Sequence, residues 1–595
     1  MLLTQTTTPE DIKALDRAAL PALCDEIRQA ILASSAAVGG HVAPNLGVVE
    51  LTVALHRVFD SPSDKIVFDV SHQTYAHKAV TGRAASFIDP AHYGEISGFS
   101  NPVESEHDLF HMGHTSTSVS LACGLVHARE LAHASYNVIA VIGDGSLSGG
   151  LAFEGLDNAA ELDANLIVIV NDNDQSIAEN HGGLYRNLAE LRRTNGHARH
   201  NYFRALGFDY RYVDAGNDVL TLVDELESVR GIDHPVVIHV STSKGAGFAP
   251  AEEDPENWHH VGPFDLDSAT ARRITPTRTA PGTESYAEIT GALLADAIAA
   301  DPQVVAVSAA TPYIMGFSPE RRRAAGHQFA DVGIAEEHAV TYATALAASG
   351  AKPVFGVYGT FLQRAYDELW HDLCLNDAPA TILVFGASVF GTTAETHLSF
   401  FDISMLGNLP NMRYLAPACR EEYISMLTWS LDHREHPVAI RVPGVGVISR
   451  PDLAPEQDTD YAAPRYQTAR EGSDIAILAL GDFFELGEQV ADELARTRGI
   501  EATLVNPRFA TELDRPFLDR LADTHRAVVT IEDGILDGGW GEKVARYLAC
   551  TPARVRTFGI AKSFPDRYDP HELLERNGVT VQNITAEAVR MLNVR

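Results

Sequence analysis

Ten short runs rich in β-branched and aliphatic residues recur along the 595-residue chain, at 138–142, 166–170, 236–240, 304–307, 353–357, 381–385, 439–442, 475–480, 502–505 and 527–531. Several are apolar at nearly every position, as in Val138-Ile139-Ala140-Val141-Ile142. Strict alternation would mark a sheet with one wet face, whereas a continuous apolar run marks a parallel strand covered on both faces. Stretches of helical periodicity separate the runs and supply the crossovers that parallel strands need. The expected class is therefore α/β, built from doubly wound parallel sheets.

Two breaks in composition divide this pattern. Residues 265–284 are rich in Thr, Pro and Ala, and residues 450–464 are rich in Pro and Asp. Both read as linkers. They set three expected domains at 1–265, 285–450 and 465–595, in line with a length prior of about 150 residues per domain.

Composition removes several classes of function. With 46 Lys and Arg against 80 Asp and Glu, the formal net charge is −34, which repels phosphate backbones and anionic lipid. A nucleic-acid or membrane partner is not expected, and an anionic ligand would have to find positive potential locally. Five cysteines without a CxxC pair argue against a disulfide framework and against a zinc site. No basic and apolar leader opens the sequence, and no apolar run reaches the ~18–20 residues of a spanning helix. The expected location is a reducing cytoplasm.

The stretch most informative about chemistry is Gly143-Asp144-Gly145 after one predicted strand, with Asn171-Asp172-Asn173 after a later one. Both fall at carboxyl ends of a parallel sheet, where such sheets bind ligands. Gly143 and Gly145 allow close backbone approach to a diphosphate. Asp144 and Asn173 offer hard oxygen ligands suited to Mg²⁺ bridging two phosphate groups. A nicotinamide-type GxGxxG fits less well, because Ser148 stands where its third glycine belongs.

The run from Gly143 through Asn173 resembles the diphosphate–metal motif of thiamine diphosphate enzymes. Within them it is most similar to the transketolase-like branch and the 1-deoxy-D-xylulose-5-phosphate synthase family. The similarity extends through Gly40-His41-Val42-Ala43-Pro44-Asn45, Ser71-His72-Gln73, Met112-Gly113-His114-Thr115-Ser116, Ser243-Lys244-Gly245, Trp258-His259-His260, Gly333-Ile334-Ala335-Glu336-Glu337-His338 and Tyr358-Gly359-Thr360-Phe361-Leu362-Gln363-Arg364. It implies a transketolase-like fold with a diphosphate- and Mg-binding first domain, a pyrimidine-binding second and a C-terminal third whose job is structural. It implies thiamine diphosphate and Mg²⁺ as cofactors and a homodimer as the active unit.

The resemblance also implies roles. Asp144, Asn173 and the backbone carbonyl near Gln175 would bind the metal. His72, Gly113, His114, Ser116, Gly143, Gly145, Ser146 and Lys244 would line the cofactor. Glu336 would meet N1′ of the aminopyrimidine and favour its imino form, and Phe361 would stack on that ring. Glu336 needs a raised pKa for this, which burial against the ring would provide. His41, His72, His259 and His397 would serve the reacting centre, where imidazole can relay protons because it titrates near neutrality. Tyr358 and Arg441, with His41, His259 and His397, would contact substrate.

The acceptor side departs from the family pattern. The family's Asp-Arg-Ala-Gly and Gly-Ala-Asp-Gly-x-Thr-His segments correspond here to the run from Phe385 to His397, in which Gly386 takes the place of the arginine and Thr393 that of the aspartate. Arg-Tyr-Pro-Arg-Gly corresponds to Arg441-Val442-Pro443-Gly444, so the second arginine is missing too. In the family, those two arginines grip the phosphate of glyceraldehyde 3-phosphate. Losing a desolvated charge-assisted contact of that kind costs about 2–5 kcal/mol. Arg192, Arg193, Arg199 and Arg204 cluster in and directly after a shortened stretch at 188–203 and could supply a replacement anion grip. The expected function is decarboxylation of pyruvate or a related 2-oxo acid with transfer of the two-carbon unit to an aldehyde, not glyceraldehyde 3-phosphate in the usual binding mode. Its rivals are ketol transfer of the transketolase type without decarboxylation, acyl transfer to lipoamide, and a catalytically inactive regulatory paralogue.

Overall fold

The computed structural model describes residues 2–270, 282–456 and 459–593. Much of the expected linker at 265–284, and part of that at 450–464, lies outside the described residues. The chain divides into two compact units. One takes the residues up to 270 together with 332–335, and the other takes 282–331 together with 336–593.

The first unit is built on a five-stranded sheet of β1 (Lys65–Phe68), β2 (Val138–Gly143), β3 (Leu166–Asp172), β4 (Asp209–Val213) and β5 (Pro235–Ser241), in the order β1-β2-β3-β5-β4. Every pairing is parallel. The continuous apolar runs are explained by its two faces. Ile139, Val141, Ile167 and Ile169 belong to one hydrophobic core, while Val138, Ala140, Ile142, Leu166, Val168 and Val170 belong to another. With both alternating sets buried, all seven residues of β3 are inaccessible.

The second unit holds two sheets. Strands β6 (Val304–Ser308), β7 (Phe329–Asp331), β8 (Lys352–Tyr358), β9 (Thr381–Phe385), β10 (Arg413–Leu415) and β11 (Val438–Val442) form a parallel sheet in the order β10-β11-β9-β8-β6-β7. Strands β12 (Gln467–Arg470), β13 (Asp474–Ala479), β14 (Thr503–Asn506), β15 (His525–Ile535) and β16 (Arg554–Ile560) form the last sheet, in the order β12-β14-β13-β15-β16. Its edge strand β12 runs antiparallel to β14 and the other pairings are parallel. The architecture is thus α/β with three doubly wound sheets, and the third carries one antiparallel edge.

Candidate active site

Several of the residues expected to do chemistry fall at the carboxyl ends of strands, Asp144 and Asn173 in the first unit and Tyr358 in the second. In the first unit, Asp144 follows β2 directly and Asn173 follows the adjacent β3, so parallel pairing brings the two motifs side by side. The backbone N–H of Asn173 faces the Asp144 carboxyl, and Asn180 Nδ2 donates to Asp144 Oδ2 at 2.7 Å. Burial, reinforced by the neighbouring Asp172 charge, pushes the Asp144 pKa up to about 8. Asp172 itself stays low despite burial, because His239 Nε2 at 2.7 Å and Arg192 Nη1 at 2.7 Å from both its oxygens favour the carboxylate.

These residues fit a hard divalent cation. The Oδ1 of Asn173 is buried without a hydrogen-bond partner, and Asp144 is a carboxylate that only a cation would keep ionised at neutral pH. The backbone here also leaves no room for side-chain bulk, since a Cβ on Gly145 would lie 2.8 Å from Ser176 Cβ. Among the described residues no group of three or more His, Cys, Asp or Glu could hold a metal. An ion at Asp144 and Asn173 would therefore draw its remaining ligands from backbone carbonyls, a diphosphate and water.

A second cluster gathers imidazoles. His41 stacks on His260 with ring centroids 4.2 Å apart and meets His72 at 5.1 Å and His259 at 5.8 Å, while His72 and His259 stack at 5.3 Å. Asn45 Nδ2 donates at 2.7 Å to the carbonyls of both His41 and His72, which ties the two histidine-bearing segments together. Val70 and Ser71, just before His72, both adopt left-handed backbone, with φ of 58° and 65°. For a β-branched residue that is a strained conformation, of the kind functional sites hold in place. Burial, then Lys244 and His260, push the His72 pKa down to about 3. The expectation of an imidazole titrating near neutrality is corrected for His72, which is neutral at any working pH.

Asp69, which the sequence did not single out, organises this half. It is 1% exposed, and its two carboxylate oxygens accept from Ser116 N at 2.8 Å and Ser118 N at 2.9 Å. Those bonds hold Ser116 at a φ of 74°, from which its hydroxyl donates to the Ser146 carbonyl at 2.7 Å. One buried carboxylate thereby fixes the turn carrying Gly113, His114 and Ser116 against the turn carrying Asp144 and Ser146. Lys244 is buried and its ammonium donates to the Ser176 carbonyl. Gln175 lies in the same turn, backbone-bridged to Glu179.

Of the four arginines expected to offer an anion grip, Arg192 is already engaged. Arg192 is committed to Asp172 and to Asp174 at 2.6 Å, Arg204 lies over the Tyr210 ring at 5.4 Å, and Arg193 and Arg199 are exposed. The expectation is corrected for Arg192: residues 188–193 complete the helix Gly183–Arg193, and its last turn buttresses the carboxylate next to Asn173.

In the second unit, Glu336 opens the helix Glu336–Ala348 and is 3% exposed. Burial raises its pKa to about 7, opposed by Arg364, whose Nη1 lies 3.5 Å from Oε2. Tyr358 ends β8, and its ring meets Phe361 edge-on at 5.7 Å. Phe361 in turn meets His397 at 5.6 Å. The Tyr358 hydroxyl lies 3.0 Å from that of Tyr313, and His397 Nδ1 lies 2.8 Å from Thr396 Oγ1.

Arg441 is not placed as expected. It is 1% exposed, with Nε donating to Asp402 Oδ2 at 2.7 Å, Nη2 to Asp402 Oδ1 at 3.2 Å and Nη1 to Asp533, and with Asp482 at 3.6 Å. Its donors are spent on buried carboxylates, so the substrate role is corrected to a structural one. At the two positions where the family pattern has acceptor arginines, Gly386 has a φ of 68°, and a Cβ on Gly444 would lie 2.5 Å from Gly391 Cα and 2.6 Å from the Phe390 carbonyl.

Comparison with known proteins agrees with this geometry. Residues 3–201 match the family model for 1-deoxy-D-xylulose-5-phosphate synthase, 283–444 that for the transketolase pyrimidine-binding domain and 465–584 that for the transketolase C-terminal domain. Fold and site together define a thiamine diphosphate- and Mg²⁺-dependent transferase of the transketolase type. A protein named 1-deoxy-D-xylulose-5-phosphate synthase from Symbiobacterium thermophilum is 40% identical over 632 residues, covering 100% of this chain and 95% of its own. Two proteins from Geobacter sulfurreducens, named 1-deoxy-D-xylulose-5-phosphate synthase 1 and 2, are each 40% identical and cover 98% and 100% of this chain and 96% and 100% of their own. The chain belongs to the 1-deoxy-D-xylulose-5-phosphate synthase family.

Proposed function

We propose that this enzyme releases CO₂ from pyruvate or a related 2-oxo acid and joins the remaining two-carbon unit to an aldehyde that it does not hold through a two-arginine phosphate grip. The observation that carries the acceptor half of this reading is the packing at Gly444. Backbone from Phe390 and Gly391 fills the space an arginine side chain would need, and the nearby Arg441 is enclosed by Asp402, Asp482 and Asp533.

Asp144, Asn173 and the Gln175 carbonyl would hold Mg²⁺, with Gly113, His114, Ser116, Gly143, Gly145, Ser146 and Lys244 around the diphosphate. Bound thiamine diphosphate supplies an electron sink for the carbon that loses its carboxylate. Glu336, half-protonated near pH 7, holds a proton at its carboxyl for N1′ of the pyrimidine and can take it back. Phe361 offers that ring a flat apolar surface. His72 serves as a fixed neutral hydrogen-bonding group, and His41 and His259, packed against it, face the donor's carboxylate and carbonyl oxygens. His397, against Phe361, serves the aldehyde.

The working unit is read as a homodimer, which gives the exposed Tyr366, Trp370 and Leu375 a second copy to cover them. A reducing cytoplasm is the location that suits five free cysteines. No helix of the described residues is long and apolar enough to cross a membrane. The test is release of labelled CO₂ from C1 of pyruvate by purified protein with thiamine diphosphate and Mg²⁺. The expected result is release that quickens when an unphosphorylated aldehyde is added and yields a 1-deoxy-ketose or other acyloin. Transfer from a ketose with no CO₂ from pyruvate would replace this reading with ketol transfer.

A further inference from the structure

The connection between β9 and the short turn Glu395–His397 is held in large part by the domain of the third sheet. Val389 and, just beyond the connection, Leu398 and Phe400 are not part of the middle sheet's core. They are buried in a hydrophobic cluster with Ile475, Ile531, Phe558 and Ile560 of that third sheet. Three polar contacts reinforce the apolar ones. The Tyr568 hydroxyl donates to the Val389 carbonyl at 2.8 Å, the Glu395 N–H donates to Asp566 Oδ1 at 3.2 Å, and the Ser388 hydroxyl donates to Asp482 Oδ2 at 3.2 Å. Ser388 Oγ also accepts from Phe390 N at 3.1 Å, and the Phe390 ring packs against Phe483 and His571. The connection ends at His397 and passes Gly391, which lies against Gly444. It therefore carries two of the acceptor-side positions at which this chain departs from its family, Gly386 and Thr393, and lies against a third, Gly444.

We propose that the C-terminal domain sets which aldehyde the enzyme takes, with Tyr568 and Asp566 as positioning residues that hold the 386–397 connection and, through it, His397. Neither residue touches the reacting atoms. Tyr568 fixes the backbone at Val389, between Gly386 and Thr393, and Asp566 fixes it at Glu395, just after Thr393, the two positions that replace the family's charged residues being Gly386 and Thr393. The domain thus does more than support the fold, and segment 561–569 determines the shape offered to the acceptor's far end. This rests on the reading that the edge of the middle sheet bearing His397 receives the aldehyde.

The experiment compares Tyr568→Phe, Asp566→Ala and Asp566→Asn with wild-type holoenzyme, using the donor that the wild type consumes and a series of aldehydes of increasing length. Removing either hydrogen bond is expected to raise the aldehyde KM by up to about tenfold and to change the order of preference among the aldehydes. Asp566→Asn keeps a carbonyl acceptor for the Glu395 N–H and is expected to restore wild-type behaviour. Donor KM and cofactor affinity stay unchanged, and amide exchange at 386–397 quickens in Tyr568→Phe and Asp566→Ala. The proposal is overturned by an unchanged aldehyde KM and order of preference, by Asp566→Asn as impaired as Asp566→Ala, or by donor KM and cofactor affinity moving in parallel. If no aldehyde speeds donor consumption by the wild type, the proposed reaction is what fails. Loop exchange then decides the positioning role, and exchange equal to the wild type's overturns it.

Discussion

Replacing Glu336 by Gln separates what this buried carboxyl costs the fold from what it does for the reaction. Burial lifts its pKa from 4.5 to about 7, against the opposing pull of Arg364. The folded chain therefore binds this proton more tightly than the unfolded chain does. Its contribution to stability is fully present below about pH 4.5 and is lost as pH rises through about 7. At 1.36 kcal/mol for each pH unit between the two values, the loss is about 3 kcal/mol. Gln has nearly the same shape and never ionises. Cofactor-free Glu336→Gln should match the wild type in stability near pH 4.5 and exceed it by about 3 kcal/mol at pH 8, visible in calorimetric or urea unfolding as a gap that opens with pH. Its turnover should fall by about 10²–10⁴, because the amide can donate a hydrogen bond but cannot exchange a proton. A stability difference that does not change with pH, or a variant less stable than the wild type at pH 8, would refute the reasoning.

Three further outcomes follow from the same geometry. Asp144, raised to about 8, must lose its proton to bind a metal, so Mg²⁺ affinity in the presence of cofactor should weaken by up to about tenfold per pH unit from 8 to 6. Titrations at pH 7 in buffers of different ionisation enthalpy should show proton release, and its absence would contradict the assignment. Asp69→Asn leaves one of two backbone N–H groups without its acceptor, and should weaken thiamine diphosphate binding by about tenfold or more with a smaller effect on kcat at saturating cofactor. Binding calorimetry would show it, and unaltered affinity would remove Asp69 from the site. Gly444→Arg should not restore a phosphate grip. With its Cβ 2.5 Å from Gly391 Cα it should lower stability by about 1–3 kcal/mol or more and leave the KM for glyceraldehyde 3-phosphate no lower.

What the sequence made legible was decided by burial. The ten runs rich in β-branched and aliphatic residues all became strands, and all of them are interior strands of the three sheets. The strands without such runs, β1, β4, β7, β10, β12 and β16, are all sheet edges. There one side has no neighbouring strand, and solvent admits polar residues, as in Asp209-Tyr210-Arg211-Tyr212-Val213. The same limit hid Asp69, which follows a four-residue edge strand and reads as a lone acid until its two N–H partners are seen. The neighbourhood of Asp144 and Asn173 was legible because adjacent parallel strands end side by side, whereas Glu336 was singled out by the family resemblance of the stretch around it. Arg441 was misread because a sequence shows a charge but not its partners, and Asp402, Asp482 and Asp533 come from three separate segments. His260 was passed over beside His259, although only the structure shows its ring stacked on His41.

The central claim is that the cofactor machinery is kept while the acceptor's phosphate grip is gone. Its most direct measurement is the ratio of kcat/KM for glyceraldehyde 3-phosphate to that for glyceraldehyde, with pyruvate as donor and saturating thiamine diphosphate and Mg²⁺. Two lost arginine contacts at about 2–5 kcal/mol each would remove most of any preference for the phosphate, so the ratio is predicted to lie near one. A preference of about a thousandfold or more for the phosphorylated triose, worth about 4 kcal/mol, would contradict the account.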